Sequence, residues 1–362
     1  MAMHSFTFNF KRFPWACINA IVVVFAVQFT VASHPWLQNA LFVFSEASLS
    51  DPMRVRYFLE QAKQDTGKKA LIVGTSQSRE GFDVRILNGH FKDDNITFYN
   101  MGSAAYSAAD LYMEIDRILN VAPDLIIYMP YIGNFYLDYD FKRLKYYYHP
   151  KIISVFLEKV GNKPLVENGW FFFDAYLSYI SYFYKYREEL KPVLYNVLNY
   201  LAFRIGEKVE PKYFRYDENF PPEYFARQVE QFKGKKFYIS EYTEVEQHAF
   251  KETIRAIKES ETPFLVIDAP VNPLIKNVYK PEVEIAYEDF LTKILRDAGI
   301  PFLSRNDLPG FGMDKFIDFT HLNAVGRAQL TEFLSDYLQK NYTAIVRRQQ
   351  TKTIPYKVYG KR

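Results

Sequence analysis

The chain has 362 residues, 49% of them hydrophobic, enough to bury a substantial core in one large domain or two ordinary ones. A formal net charge of +3, with no Arg/Lys stripe interleaved with the aromatic residues, excludes a nucleic-acid-binding surface of the usual strongly basic kind. The lone Cys17 excludes a disulfide framework and a thiolate zinc site, and the six histidines show no H-E-x-x-H or paired-ligand spacing, so neither a metal nor another cofactor is expected.

In chain order, Lys11-Arg12 precede Trp15 and an uncharged apolar run from Ala16 to Ala32. Roughly 17–25 such residues suffice to cross a bilayer. Residues 1–33 therefore read as a single-pass anchor in the cytoplasmic membrane. The basic residues ahead of it place the N-terminus inside and everything that follows outside the cytoplasm, in the periplasm or at the cell surface. A cleaved signal peptide, with Thr30-Val-Ala32 as its processing site, is the competing reading. Both export the rest of the chain, which needs no oxidative pairing because its only cysteine lies in the leading segment.

Residues 34–68 read as a connector whose polar end, Glu60 to Gly67, lies on the surface. The apolar run Ala70-Leu-Ile-Val73 then predicts a buried strand, and Gly74-Thr75-Ser76 presents a hydroxyl at its carboxyl end, where open α/β sheets place their sites. An ordinary strand-to-helix turn with Ser76 as a cap is the plainer alternative. Ile96 to Asn100 predicts a second strand leading into Met101-Gly102-Ser103. A glycine there allows close backbone approach, and its N–H can join that of Ser76 around an oxyanion; a helix-entry glycine is the alternative. Ser107 is expected to cap a helix with Leu111, Ile115, Ile118 and Leu119 on its apolar face. A third strand follows over Asp124 to Met129, so 69–130 reads β-turn-β-α-β and calls for a parallel sheet.

Residues 135–243 interrupt this alternation. Tyr146-Tyr-Tyr148, Trp170-Phe-Phe-Phe173, Tyr176, Tyr179, Tyr182, Phe183, Tyr184 and Tyr186 are mixed there with Lys and Arg. The mixture predicts an aromatic-rich helical cap that either faces a membrane surface or sugar-lined groove or packs its rings on the core. A second membrane span is disfavoured by Asp174, Lys185, Arg187, Glu188 and Glu189, which break every apolar run short of a bilayer's thickness. The sheet resumes with a helix carrying Phe250, Ile254 and Ile257, a strand within Thr262 to Pro270, a helix from about Val283 to Ala298, and a strand within Ile300 to Ser304.

Near the end stand Asp318 and His321, three apart just before another helix. Residues so spaced in a helical turn share a face. Asp318 can accept the Nδ1 proton of His321 and leave Nε2 free to take a proton from Ser76. A surface aspartate beside a helix-capping histidine is the alternative. Residues 341–362, through Arg347-Arg348 to Lys361-Arg362, form a basic tail.

Three short blocks in order, Gly74-Thr75-Ser76, Asn100-Met-Gly-Ser-Ala104 and Asp318-Phe-Thr-His321, resemble the nucleophile, glycine and D-x-x-H blocks of the SGNH (GDSL-like) hydrolase superfamily. Within it the chain looks most like membrane-anchored envelope proteins of the DltD and alginate O-acetylation type. The resemblance implies an α/β, three-layer SGNH-like fold with a mostly parallel central sheet of about five strands. To this it adds an N-terminal transmembrane helix and a helical insertion between domain parts 69–134 and 244–340. Two departures stand out. After the third strand the expected Gly-x-Asn-Asp block is replaced by Pro130-Tyr-Ile-Gly-Asn-Phe135, leaving Asn134 as the candidate oxyanion-hole asparagine without the following Asp. Ser78 occupies the second glycine position of a G-x-S-x-G elbow, and α/β-hydrolases bring Asp and His from separate loops, so the tight pair here favours the SGNH pattern.

The implied chemistry has Ser76 as nucleophile, His321 as general base and then acid, and Asp318 as its orienting carboxylate, with Ser76, Gly102 and Asn134 as oxyanion donors. The implied substrate is an acyl ester or a cell-envelope polysaccharide, worked on beside a membrane-bound acyl-donor protein. Esterase and O-acyltransferase remain equally open. A secreted small-ester or lipid esterase is one alternative. A non-catalytic scaffold that binds a glycan or a partner membrane protein is another.

Overall fold

A computed structural model describes residues 51–136, 139–185, 239–275 and 280–350, with isolated positions 15, 18, 19, 22, 23, 26, 214, 227 and 230. Most of the expected anchor, residues 186–213 and Tyr186 with them, and the tail beyond 350 lie outside the described residues. Among the described residues no helix is long and apolar enough to cross a membrane.

Five parallel strands form the centre: β1 (Lys68–Gly74), β2 (Ile96–Asn100), β3 (Leu125–Met129), β4 (Phe264–Ile267) and β5 (Phe302–Leu303), in spatial order β2-β1-β3-β4-β5. Each neighbouring pair is parallel. A strand covered on both faces must be apolar at every position, and the alternating side chains show why. Leu71 and Val73 of β1, with Ile126 and Tyr128 of β3, enter one buried cluster. Ala70 and Ile72, with Leu125, Ile127 and Met129, enter another on the opposite face. Each such side chain contributes roughly 1.5–3 kcal/mol when fully buried, so neither face can be left to water.

The second cluster is closed by α3 (Val84–His90) and the long α12 (Ala324–Gln350), with Phe82 just past the short helix α2 (Ser76–Gly81). The first is closed by α1 (Asp51–Gln64), α4 (Ala108–Leu119), α10 (Glu241–Glu259) and α11 (Pro281–Ala298). The two halves of the sheet run outward from β1 and β3 in opposite senses, which opens a crevice at their carboxyl ends.

Between these helices lie α5 (Leu144–Tyr147), α6 (Lys151–Val160), α7 (Lys163–Glu167), α8 (Gly169–Ile180) and α9 (Tyr182–Lys185). Part of the aromatic stretch packs on the core and part is exposed. Phe141, Phe156 and Phe172 are buried with ring centroids 5.5–5.8 Å apart, and Phe141 meets Tyr242 of α10 at 5.6 Å. Trp170, Phe173, Tyr176 and Tyr179 face outward.

Two expectations change. Residues 51–64 of the expected connector form a helix, α1, whose Val55, Phe58, Leu59 and Ala62 are buried at the spacing of one helical face. The turn between β1 and β2 is in fact two short helices, α2 and α3. Their caps account for them: the Thr75 side chain accepts from the Gln77 N–H, and Asp83 accepts from the Arg85 N–H.

Ser107 caps α4 as expected. Its Oγ accepts from the Asp110 N–H at 3.2 Å, and Asp110 Oδ2 accepts from the Ser107 N–H at 3.0 Å. Buried Glu246 of α10 accepts a third early N–H, that of Ala109, at 2.8 Å. Burial pushes the Glu246 carboxyl up to about 8, with neighbouring Asp110 adding to the effect; burial also pushes Asp110 up to about 6.

Candidate active site

β1 ends at Gly74, whose φ of +143° is a backbone state that side chains rarely adopt. A Cβ there would stand 2.4 Å from the Met129 carbonyl oxygen and 2.3 Å from Ser78 Oγ. The chain therefore turns sharply on a glycine and enters α2 with Ser76 as its first residue. As a first-turn residue Ser76 has no intrahelical acceptor for its N–H, and among the described residues that N–H makes no hydrogen bond. It points the positive end of a helix at whatever lies beside Oγ.

α2 is held at both ends. Buried Asn100, at the end of β2, donates from Nδ2 to the carbonyls of Ser78 at 3.0 Å, Arg79 at 3.3 Å and Phe82 at 3.0 Å. Its Oδ1 accepts the Gly102 N–H at 2.9 Å. This corrects the expectation for Gly102: its N–H is engaged by Asn100 rather than offered to an oxyanion. The glycine is required for space, because a Cβ would lie 2.3 Å from the Arg79 backbone nitrogen and 2.9 Å from the Ser78 carbonyl carbon. Ser103 adds a bond from its N–H to the Gly74 carbonyl at 3.0 Å and pairs its hydroxyl with that of Tyr147.

The other half of the site arrives on α12. Arg327 Nε donates to the Glu80 carbonyl at 2.9 Å, and Thr331 Oγ1 accepts from the Asp83 N–H at 3.0 Å. Glu80 is itself paired with Arg79 at 2.8 Å, both buried. Docking α12 on α2 in this way fixes the loop just before it over Ser76. That loop is closed by a bridge between Phe316 and Leu322 and by the Asn323 side chain, which accepts from Val325 and Gly326 N–H at the start of α12.

Asp318 and His321 meet within this loop and not across a helical turn. Asp318 Oδ1 accepts the N–H groups of Thr320 and His321, both at 2.8 Å, which curls the backbone and brings the imidazole round to Oδ2 at 2.7 Å. Buried Asn272 donates to the Asp318 carbonyl at 3.3 Å. On the far side of the ring, His321 Nε2 stands 2.7 Å from Ser76 Oγ, across 245 residues of sequence. Burial opposes ionisation of Asp318, yet the adjacent His321 and the hydrogen bonds from Thr320 and His321 outweigh it and hold the carboxyl below its ordinary value.

Ser76, His321 and Asp318 are thus brought into one hydrogen-bonded line. Such a line can move a proton from the hydroxyl to the imidazole while the buried carboxylate balances the charge formed. Asn134 lies in a short turn, Ile132–Asn134, beyond the end of β3, which neighbours β1. Its Oδ1 is enclosed without a hydrogen-bond partner, and its side chain makes no bond to the three aligned residues. The role of Asn272 escaped the sequence reading, and Asn100 entered it only as the first residue of the glycine block, without the bonds it makes. Among the described residues no group of three or more His, Cys, Asp or Glu is arranged to hold a metal ion.

One family model matches residues 227–343, less than half of the chain, a stretch that includes β4, β5 and the loop with Asp318 and His321. No curated protein matches. Among solved structures, LAE5, an alpha/beta hydrolase enzyme from the metagenome of Lake Arreo, Spain, is similar over 79% of this chain and 97% of that one, at 10% identity and a TM-score of 0.35. At that distance no residue role is carried across from it.

Proposed function

We propose that the chain is an SGNH-like serine acyl esterase or O-acyltransferase working through an acyl-serine intermediate. The observation that carries this reading is the 2.7 Å approach of His321 Nε2 to Ser76 Oγ with Asp318 behind the ring. Ser76 Oγ attacks the ester carbonyl as His321 Nε2 takes its proton, and the imidazolium is stabilised by Asp318. His321 then returns that proton to the departing alkoxide, leaving the acyl group on Ser76. Water or an acceptor hydroxyl, deprotonated by His321, releases it. The unbonded Ser76 N–H at the head of α2 is the donor supported best for the oxyanion, with Asn134 as a second if its turn closes on substrate.

The finer reading adds attachment to the cytoplasmic membrane through residues 1–33, an extracytoplasmic catalytic part, and a cell-envelope polysaccharide as substrate, beside a membrane-bound acyl-donor protein. It is supported by the apolar run Ala16 to Ala32 and by the three-block resemblance. A scaffold that binds glycan without chemistry is favoured by one observation, the commitment of the Gly102 N–H to Asn100. Turnover of p-nitrophenyl acetate by the purified chain, lost in Ser76→Ala, tests the enzyme reading. A folded protein with no Ser76-dependent turnover of this or longer-chain esters supports the scaffold. Adding oligosaccharide acceptors and following acyl-sugar by mass then separates transferase from esterase.

A further inference from the structure

The aromatic insertion takes hold of the turn that carries Ser76. Beyond Asn100 the chain still follows β1: the Met101 N–H donates to the Ile72 carbonyl at 2.8 Å, and the Ser103 N–H to the Gly74 carbonyl at 3.0 Å. That second bond falls where β1 ends, at the glycine whose φ of +143° makes the sharp turn into Thr75 and Ser76. Ser103 is fully buried, and its hydroxyl meets the Tyr147 hydroxyl of α5 at 2.5 Å across 44 residues of sequence. A chain of hydrogen bonds thus runs from the insertion, through Ser103, to the backbone just ahead of the nucleophile.

The Tyr147 ring is itself gripped. It is 2% exposed, Tyr106 meets it edge-on at 5.0 Å and 88°, and the Arg143 guanidinium lies 5.8 Å from its centre. Helix α8 packs along α5 behind it. Tyr106 closes the loop after Ser103 with a bond from its N–H to the Ser103 carbonyl at 3.2 Å. Inside that loop Ala105 is held at a φ of +51°, a left-handed state that a residue with a Cβ adopts at a cost. Strain of this kind persists where the surroundings over-determine the backbone, and here Tyr106 and Tyr147 supply that constraint. Packing alone does not require the Tyr147 hydroxyl, because a phenylalanine ring would fill the same space. The buried Ser103 hydroxyl does require it, since a buried polar group without a partner is costly.

We propose that Tyr147 is a positioning residue for Ser76: its hydroxyl fixes Ser103, Ser103 fixes the Gly74 carbonyl, and the insertion thereby sets the angle at which the turn delivers Oγ to His321. The inference deepens the serine-hydrolase reading and rests on it. Gly74 has no side chain to anchor it, so a shift of the Ser103 bond passes into Thr75 and Ser76, whose 2.7 Å approach to His321 tolerates little displacement.

The test compares the full chain with Tyr147→Phe, Ser103→Ala and the double variant. Tyr147→Phe keeps the ring contact with Tyr106 and should fold. It should slow alkyl fluorophosphonate labelling of Ser76 by about 3- to 10-fold, short of the about 100-fold that a full 1 Å displacement gives. For p-nitrophenyl acetate, kcat should fall by the same factor with KM unchanged, because both side chains are buried. Hydrogen exchange of the peptide covering residues 73–80 should quicken in the same variant. The double variant should be no slower than the slower single one, since both changes break one link. Labelling at the original rate overturns the positioning role even if the melting temperature falls, and losses that multiply in the double variant overturn the route through Ser103. Unchanged exchange over residues 73–80 in folded Tyr147→Phe overturns the link itself, whatever the chemistry. A chain unlabelled before any substitution sinks the serine reading and the positioning role with it, and exchange alone then decides whether the insertion holds the turn.

Discussion

Replacing Gly102 with alanine tests how the site is assembled, because the new methyl has nowhere to go. Its Cβ would lie 2.3 Å from Arg79 N and 2.8 Å from Arg79 Cα, where ordinary contact begins near 3.4 Å. Both are backbone atoms of α2, so relief requires the helix to retreat from β2 by about 1 Å. Ser76 opens that helix, and its Oγ would leave its 2.7 Å approach to His321. A displacement of about 1 Å lowers turnover by about 100-fold, or about 2.7 kcal/mol in the barrier. Overpacking of this kind also destabilises by about 1–3 kcal/mol. The substitution keeps the backbone N–H, so a loss of rate reports misplacement and not a missing donor. Ester turnover and fluorophosphonate labelling rate, measured beside thermal melting, check it. An alanine variant with unchanged rate and melting temperature would refute the packing argument.

Three further outcomes follow from the same geometry. Asp318→Asn should cut kcat by about 10⁴ while the protein still folds, because an amide N–H facing Nδ1 drives the imidazole proton onto Nε2, where it blocks transfer from Ser76; steady-state kinetics and melting curves measure this. Asn100→Ala should leave buried carbonyls of α2 and the Gly102 N–H unpaired, at about 1–3 kcal/mol for each group left without a partner, read by chemical denaturation. Glu246→Gln should change the pH dependence of stability. Burial raises the folded carboxyl from the usual 4.5 to about 8, so the folded chain holds a proton that the unfolded chain has released across that window. Glu246 therefore lowers stability as pH rises towards 8, by an amount on the order of a few kcal/mol, and a melting-temperature advantage of the Gln variant should grow from about pH 5 to pH 8. Parallel curves for the two proteins would contradict the assignment.

The strands and the Asp318–His321 contact were legible because both rest on local signals: an unbroken apolar run for a strand buried on both faces, and a tight Asp-x-x-His spacing. Other features were hidden by their chemistry. Ser76–Gly81 contains Arg79 and Glu80, residue types that read as surface, yet both are buried because they pair with each other and Glu80 also meets Arg327. The helix over 51–64 was read only as part of a connector, although Val55, Phe58, Leu59 and Ala62 carried the helical spacing in plain view. Gly102 was correctly singled out for close approach, but whether its N–H stays open depends on where the Asn100 side chain turns, which only three-dimensional placement decides. The Asp318–His321 contact was foreseen with the wrong backbone, since an aspartate that accepts two successive N–H groups curls a loop as effectively as a helix would.

The central claim is that Ser76 is an activated nucleophile, and covalent capture tests it most directly. The purified chain is treated with an alkyl fluorophosphonate, digested and mapped by mass. The account predicts a single phosphonylated peptide modified at Ser76, with labelling slowed sharply in His321→Ala and absent in Ser76→Ala. A folded chain that remains unmodified, or one modified at another serine at an unchanged rate in His321→Ala, would contradict it.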